Sequence, residues 1–246
     1  MTEKFQPISN TPPIGLVGKI KFYGRMLLDL QILTIYKDVK KTLPAYSGNI
    51  LDIGCGQSPY KFLLKKEQTR YHGIDIIEAS SFGYNNPDVT SFDGKNIPFA
   101  DDTFDGVICT EVLEHVQEYQ YLVDEIYRTA KKDAKIIVTV PWSARFHYIP
   151  YDYFRYTPSS FKIMFNKFSE VIIRPRGTDV SVISSKIIVL FFRNFFPVEK
   201  WRYIFLPLFL TLLPVLMLTI VIAHLSILLD IGSTEDPLGY TILIKK

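Results

Sequence analysis

Two glycines and two acidic residues in the first third of the chain have the types and spacing that bind a nucleoside. Gly54 and Gly56 follow a short apolar run that contains Asp52, and glycine lets the backbone turn sharply and approach a ligand closely. Asp75 lies 19 residues after Gly56, about where an acidic residue must lie to accept hydrogen bonds from ribose hydroxyls. A helix predicted directly after the loop would attract a carboxylate or phosphate with its N-terminus. A glycine pair alone is more typical of a plain strand-to-helix corner, so the prediction depends on further residues.

Two more features follow in order along the chain. Asp93 and Gly94 come after a third predicted strand, where an acceptor could reach an adenine amino group, and Glu111 follows the fourth strand. With the segment IPFADDTFDGVICTEVLEHV, these residues resemble a class I S-adenosylmethionine-dependent methyltransferase over residues 48–142. The competing class is a dinucleotide-binding dehydrogenase, which normally has G-x-G-x-x-G, and the third glycine is absent here.

The resemblance implies a role for each matching residue and S-adenosylmethionine as the cofactor. Asp52 and the backbone of the glycine loop would hold its methionine end, the end of the second strand its ribose, and Asp93 with the Gly94 amide its adenine. The expected cofactor-binding set is Asp52, Gly54, Cys55, Gly56, Asp75, Ile76, Asp93, Gly94 and Glu111. Cys55 and Cys109 are expected to pack near the site, and we assign no chemistry to their thiols.

A loop rich in aromatic residues, 142–158, is the expected acceptor side of the site, and we name it the aromatic loop. It resembles the H-x-x-P-x-D-x-x-R-x-T stretch of methyltransferase-like proteins that accompany glycan and cell-envelope biosynthesis. His147 is the first candidate for a general base, because its ordinary pKa near 6.5 suits proton abstraction, and His115 is the second. The expected acceptor-binding residues are Trp142, Asp152, Arg155 and Tyr156.

The alternatives at the acceptor side stay open. His147, Asp152 and Arg155 could instead only hold the aromatic loop together, and His115 could simply bond a backbone carbonyl. Glu114 is expected on a helix face that borders the pocket. The spacing of the four histidines predicts no metal site, because they are scattered along the chain.

These residues need a scaffold, and alternating strand and helix patterns predict one of α/β class. Expected strands lie at 49–53, 71–77, 88–91, 105–109, 135–140, 168–174 and 239–246, and expected helices at 18–43 (one or two), 59–66 and 111–129. The predicted architecture is a Rossmann-like, doubly wound, mostly parallel seven-stranded sheet with an apolar helical insertion before the last strand. The predicted organisation is an irregular N-terminal arm over 1–17, a methyltransferase domain over 18–179 and 236–246, and an insertion over 180–235.

The insertion is the most apolar part of the chain. Residues 203–229 contain no Asp, Glu, Lys or Arg, and this stretch is longer than the roughly 20 residues that cross a bilayer. Lys186, Arg193 and Lys200 recur every seven residues before it, so these cations share one helix face. Because the chain must return to the sheet, a single crossing is excluded. We expect a hairpin on or in one leaflet at the cytoplasmic side of a membrane, with two crossings or burial on a partner subunit, such as a homodimer, as alternatives.

Composition narrows the function further. The net charge of +3 is too small to indicate a nucleic-acid partner, two cysteines fit a reducing compartment, and residues 1–10 lack the apolar core of a signal peptide. The predicted function is S-adenosylmethionine-dependent methyl transfer to a hydroxyl of a lipid-linked, glycan or other membrane-associated acceptor. The alternatives are a methyltransferase of a soluble or quinone-type small molecule that dimerises through the insertion, and a non-catalytic membrane scaffold.

Overall fold

A computed structural model describes residues 9–76, 86–87, 89–196 and 200–246, with the backbone alone for 200–202. The strands are β1 (Gly48–Ile53), β2 (Thr69–Ile76), β3 (Val89–Phe92), β4 (Phe104–Thr110), β5 (Ala130–Pro141), β6 (Glu170–Arg176) and β7 (Gly239–Lys245). The α-helices are α1 (Gly15–Arg25), α2 (Leu30–Thr42), α3 (Tyr119–Thr129), α4 (Pro158–Met164), α5 (Asp179–Phe195) and α6 (Leu206–Leu229).

The seven strands form one sheet in the order β3-β2-β1-β4-β5-β7-β6. β7 runs antiparallel to β5 and β6, and the remaining neighbours pair in parallel. One apolar core packs α3 and α4 against one face of the sheet, and a second packs α1 and α2 against the other. The doubly wound, mostly parallel seven-stranded sheet predicted from the sequence is therefore confirmed.

The C-terminal ends of the parallel strands define one edge of the sheet, which we name the cofactor edge. Pro141 at the end of β5 pairs with Gly239 at the start of β7, which in turn pairs with Arg176 at the end of β6. The chain therefore leaves the sheet for the apolar insertion, and re-enters it afterwards, at the cofactor edge.

The helix predicted over 59–66 is wrong. A single 3-10 turn, Lys61–Leu63, takes its place. Ser58 has φ of +52°, which cannot belong to a helix, and the short segment after it must bury Tyr60 and Leu64 under α2 before β2 begins. The helix N-terminus that was expected to attract an anionic group of the cofactor is consequently missing from this part of the described chain.

Two other helix boundaries differ from the prediction. The helix predicted over 111–129 begins only at Tyr119, after a 3-10 turn at Leu113–His115, because Glu111 adopts φ of +54° and cannot start a helix. The first helix begins at Gly15, within the predicted irregular arm. Two helices, α1 and α2, occupy the region for which one or two were expected.

The insertion consists of α5 and α6, which pack against each other as an apolar hairpin. α6 stays helical through Pro207, in its first turn, and through Pro214. Near the sheet, Ala223 and Ile227 pack on Leu30 of α2, and the Lys37 ammonium donates a hydrogen bond to the Ile227 carbonyl oxygen, 3.0 Å away. The hairpin is thus fixed at its base and carries its remaining apolar surface outward.

Candidate active site

The glycine loop after β1 has a backbone that requires glycine. Gly54 has φ of +61°, and a Cβ built there would lie 2.5 Å from the Val112 Cγ2. Gly56 has φ of +49°, and its N–H donates a 2.8 Å hydrogen bond to Asp75 Oδ2. The acidic end of β2 therefore fixes the glycine loop, which leaves a tight turn at the cofactor edge where a ligand can approach the backbone.

The end of β2 forms a second wall of this site. Asp75 is half-buried, and its second carboxylate oxygen accepts the Ile76 N–H at 2.8 Å. Ile76 lies against Gly94, where a Cβ would come within 3.3 Å of the Ile76 side chain. Asp93 is exposed, and both its oxygens accept hydrogen bonds from Asn96, so its carboxylate organises its own turn. Both Asp75 oxygens thus accept backbone N–H groups, and the contacts of Asp75 with ribose and of Asp93 with adenine stay predictions.

Asp52 lies beneath the glycine loop with 4% of its surface exposed. Burial raises the pKa of Asp52 to about 7, although the Tyr71 hydroxyl donates a 2.7 Å hydrogen bond to it, and the nearby Asp75 carboxylate adds to the rise. Cys55 is also buried, and burial raises the pKa of its thiol, so this sulfur packs against Gly73 as a neutral group. Packing is thus the role that the structure supports for Cys55.

Glu111 lies where β4 ends and contacts a residue that the sequence analysis missed. Its carboxylate is 2.8 Å from the guanidinium of Arg176, which is 2% exposed and also donates to the Val140 carbonyl oxygen. Gly239 makes room for this guanidinium, because a Cβ there would collide with Arg176 Nη2. A lone arginine at the end of a strand has no local signal that could have revealed this contact.

The aromatic loop folds around Asp152, whose side chain is 1% exposed. Arg155 binds both Asp152 oxygens, at 2.6 and 2.8 Å. The backbone N–H and Nδ1 of His147 lie 3.1 and 3.0 Å from Oδ2 of the same carboxylate. Burial opposes the charge of Asp152, but the Arg155 and His147 contacts hold its pKa below its ordinary value. These three residues hold the loop together, and in doing so they fix the orientation of the His147 ring.

His115 and His147 come from different segments but their rings meet, with centroids 4.9 Å apart. Burial lowers the pKa of His115 to about 4, and its Nδ1 lies 2.7 Å from the Tyr151 carbonyl oxygen. Glu114 beside it is fully buried, and burial raises the pKa of Glu114 well above its ordinary value. The structure thus brings together both candidate bases and a carboxyl group that had been expected only at the border of the pocket.

Two predicted acceptor-binding residues make internal contacts. The Trp142 indole N–H donates to Asp236 at 3.0 Å, in the segment where the insertion rejoins the sheet. Tyr156 is buried in the core under α4, and its hydroxyl donates to the Leu113 carbonyl oxygen at 3.0 Å. The geometry favours a packing role for Tyr156, and a contact of Trp142 with an acceptor stays a prediction.

Comparison with known proteins gives a family match and several relatives. A family described as a methyltransferase domain matches residues 30–180. An uncharacterized protein from Methanocaldococcus jannaschii is 30% identical over 122 residues, which cover 48% of this chain and 53% of that protein. Demethylmenaquinone methyltransferase of Anoxybacillus flavithermus is 26% identical over 147 residues, covering 53% of this chain and 62% of the enzyme. The matches therefore span between half and two thirds of these relatives.

A solved structure shows the same fold over most of the chain. The crystal structure of an S-adenosylmethionine-dependent methyltransferase from Archaeoglobus fulgidus superposes with a TM-score of 0.53 and 18% identity, covering 92% of this chain and 99% of that one. At this identity the likeness concerns the fold.

Proposed function

Since this chain belongs to the methyltransferase domain family and S-adenosylmethionine is its cofactor, we propose that it transfers the cofactor's methyl group to a hydroxyl of a membrane-associated acceptor, such as a lipid-linked sugar. The observation that carries the proposal is where the hairpin attaches. It leaves the sheet at Arg176 and rejoins it at Gly239, both at the cofactor edge. A membrane or partner that contacts the hairpin would therefore lie on the same side of the sheet as the aromatic loop.

Contacts between the hairpin and the aromatic loop support this arrangement. The Lys186 ammonium on α5 donates to the Ser143 carbonyl oxygen at 3.1 Å. Of the three cations expected on one helix face, Lys186 contacts the aromatic loop and Arg193 is exposed on α5. The side chain of Lys200 lies outside the described residues. An acceptor held at the surface of the hairpin would meet the aromatic loop first.

The exposed apolar surface is large, and it includes residues of α1 in addition to the predicted insertion. The stretch Tyr203–Leu229 is long and apolar enough to cross a membrane, and 11% of its most apolar window is buried. On α1, Leu16 and Ile20 are 75% and 63% exposed. The turn after α1 touches α6, because His224 Nε2 lies 3.1 Å from the Leu27 carbonyl oxygen. Surfaces of this size and chemistry insert into lipid or bind a partner.

The chemistry needs an acceptor oxygen aligned with the cofactor and relieved of its proton. Bound S-adenosylmethionine would supply the methyl group and leave as a neutral thioether once its carbon–sulfur bond broke, and a base of this chain would take the hydroxyl proton. His147 is the candidate base, because its Nδ1 faces two acceptors, the Asp152 carboxylate and the Arg145 carbonyl oxygen, which favours the tautomer with the lone pair on Nε2. His115 has the same arrangement through the Tyr151 carbonyl oxygen.

A second candidate is a quinone-type acceptor. It is favoured by one curated relative, which is a demethylmenaquinone methyltransferase. In this alternative the apolar hairpin would serve dimerisation.

Radiolabelled S-adenosylmethionine incubated with the full chain and fractionated cell extract tests the acceptor class. We expect label in the lipid extract with the parent protein and less than a tenth of it with His147→Ala. Label only in water-soluble products contradicts the membrane-associated acceptor, and label in a quinone fraction selects the second candidate.

Vesicle flotation tests the hairpin surface separately. Leu218 and Val221 on α6 are 60% and 51% exposed, so the double variant Leu218→Glu/Val221→Glu should lose flotation with vesicles of anionic lipid and keep its melting temperature. The matched control is Ile163→Glu on α4, where the parent side chain is 74% exposed outside the hairpin. Equal flotation of all three proteins would exclude the hairpin as the membrane contact.

A further inference from the structure

Three potential metal ligands from two segments that are distant in sequence converge beside the cofactor edge. Glu114 and His115 lie in the 3-10 turn after β4, and His147 lies in the aromatic loop after β5. One ligand atom from each lies within 4.8 Å of the others, and His115 Nε2 is 3.7 Å from Glu114 Oε1. Ligands bound at about 2.1 Å to one tetrahedral ion are roughly 3.4 Å apart, so small side-chain rotations would complete such a site.

We propose that Glu114, His115 and His147, named the Glu114 cluster, bind one divalent transition-metal ion such as Zn²⁺ or Mn²⁺. The sequence predicted no metal site because the histidines are scattered along the chain, but the fold brings His115 and His147 together beside Glu114.

The carboxylate of Glu114 is the strongest evidence. Glu114 is fully buried, and among the described residues neither of its side-chain oxygens has a hydrogen-bond partner. Buried polar atoms are nearly always satisfied, so a carboxyl group with two orphaned oxygens needs an explanation. Its backbone carbonyl oxygen, in contrast, accepts the Tyr153 N–H at 2.8 Å, which holds the aromatic loop over the cluster. A bound cation would satisfy the orphaned oxygens.

The two histidines are oriented as metal ligands usually are. Nδ1 of His115 faces the Tyr151 carbonyl oxygen, and Nδ1 of His147 faces Asp152, at 2.7 and 3.0 Å. These contacts favour the tautomer with the proton on each Nδ1 and the lone pair on each Nε2. A carboxylate or carbonyl on the far nitrogen is the common outer contact of a metal-bound histidine, because it fixes the tautomer and the ring.

The ligand set indicates the class of metal. Two imidazoles and one carboxylate suit Zn²⁺, Mn²⁺, Fe²⁺ or Co²⁺ better than Ca²⁺ or Mg²⁺, which prefer oxygen ligands. Three protein ligands leave a position for water or an acceptor oxygen. The role of the metal rests on the proposed function, which this inference deepens. A hydroxyl bound to a divalent ion loses its proton more readily, so the histidines would act as metal ligands and no free base would be needed.

Isothermal titration of the chelator-stripped, untagged full chain with ZnCl₂ and with MnCl₂ tests the proposal, and visible absorption after CoCl₂ addition reports the ligands. We expect one equivalent to bind, and His147→Ala and Glu114→Gln each to raise the Kd at least tenfold. The matched control is His72→Ala, because His72 lies on β2 outside the cluster and packs against Phe99 and Phe104. Its Kd should equal that of the parent.

Absence of saturable binding to the folded parent overturns the proposal, as does an unchanged Kd in His147→Ala. If circular dichroism shows that Glu114→Gln does not fold, the Kd of His147→Ala for the metal decides the test, because His147 lies in the aromatic loop. Titration with S-adenosylmethionine in the same buffer separates the two conclusions. Cofactor binding without metal binding rejects the metal site alone, and metal binding without cofactor binding rejects the proposed function alone.

Discussion

The guanidinium of Arg176 lies 2.8 Å from the carboxylate of Glu111, and so joins the ends of β6 and β4 across the two strands that separate them in the sheet. The same guanidinium donates to the Val140 carbonyl oxygen of β5 and lies 3.3 Å from Thr34 Oγ1 of α2. One buried side chain thus connects the acidic residue expected beside the cofactor with the strand from which the hairpin departs.

Replacing this arginine should cost both stability and cofactor affinity. Arg176→Met keeps the length of the side chain but leaves Glu111 without its partner, and we expect the free energy of unfolding to fall by about 2–4 kcal/mol in a urea titration. Calorimetry should show weaker binding of S-adenosylmethionine. Arg174→Met is the matched control, because Arg174 is exposed on the same strand. Equal losses in both variants would contradict a specific role for Arg176.

The turn at Gly54 should not tolerate a methyl group. Gly54→Ala places a Cβ against Val112 at φ of +61°, so the glycine loop must shift, and we expect the Kd for S-adenosylmethionine to rise at least tenfold. Gly24→Ala is the control, because a Cβ at Gly24 meets no atom within 4 Å. A parent-like Kd for Gly54→Ala would show that the cofactor does not depend on this loop.

Asp75 should matter more than Asp93 for cofactor binding. Asp75→Asn weakens the contact that fixes Gly56 and removes the charge expected at the ribose, so we expect a rise in Kd of about 30-fold, or roughly 2 kcal/mol. Asp93 bonds its own turn and is exposed, and Asp93→Asn should change the Kd less than fivefold. Fluorescence titration with S-adenosylmethionine measures both. The reverse order would mean that the adenine contact dominates.

The buried carboxyl of Asp52 should make the cofactor-free protein less stable as pH rises. Its folded pKa, about 7, exceeds an unfolded value of roughly 4. Its contribution to the free energy of unfolding is therefore complete below pH ~4. As the pH rises to 7 this contribution is lost, and the loss is at most about 4 kcal/mol. The groups that face it are Tyr71, Asp75, Cys55 and Cys109.

Asp52→Asn tests this effect, because the amide keeps an oxygen for the Tyr71 hydroxyl and cannot ionise. Urea unfolding at pH 4.5, 6 and 7.5 should give a stability difference, parent minus variant, that falls with increasing pH. A constant difference would contradict the raised pKa.

The convergence of the predicted cofactor residues at one edge of the sheet could be inferred from the sequence, because these residues follow strands in order. Asp52, Gly56 and Asp75 each lie at the end of a parallel strand or directly after one, and parallel strands bring their C-terminal ends to one edge. Periodicity and order along the chain are enough to infer such a site. The short segment after Gly56 was misassigned because its helical pattern yields to the burial of Tyr60 and Leu64.

The acceptor side was less predictable because its contacts are made between segments. No spacing rule connects Glu114 and His115 with His147, and the distance between them depends on how the aromatic loop folds over β4. Arg176 is similar, since its partners come from α2, β4 and β5. Such residues require the three-dimensional structure.

The rigid attachment of the hairpin at the cofactor edge has a kinetic consequence. The Lys37 ammonium donates to the Ile227 carbonyl oxygen, and Thr178 donates to the Ile231 carbonyl oxygen at 2.8 Å, so the base of the hairpin is joined to the domain beside the site. With the hairpin in a leaflet, enzyme and acceptor would meet by lateral diffusion in two dimensions. Turnover would then follow the mole fraction of acceptor in the lipid, and adding inert lipid at constant bulk acceptor would slow the reaction by surface dilution.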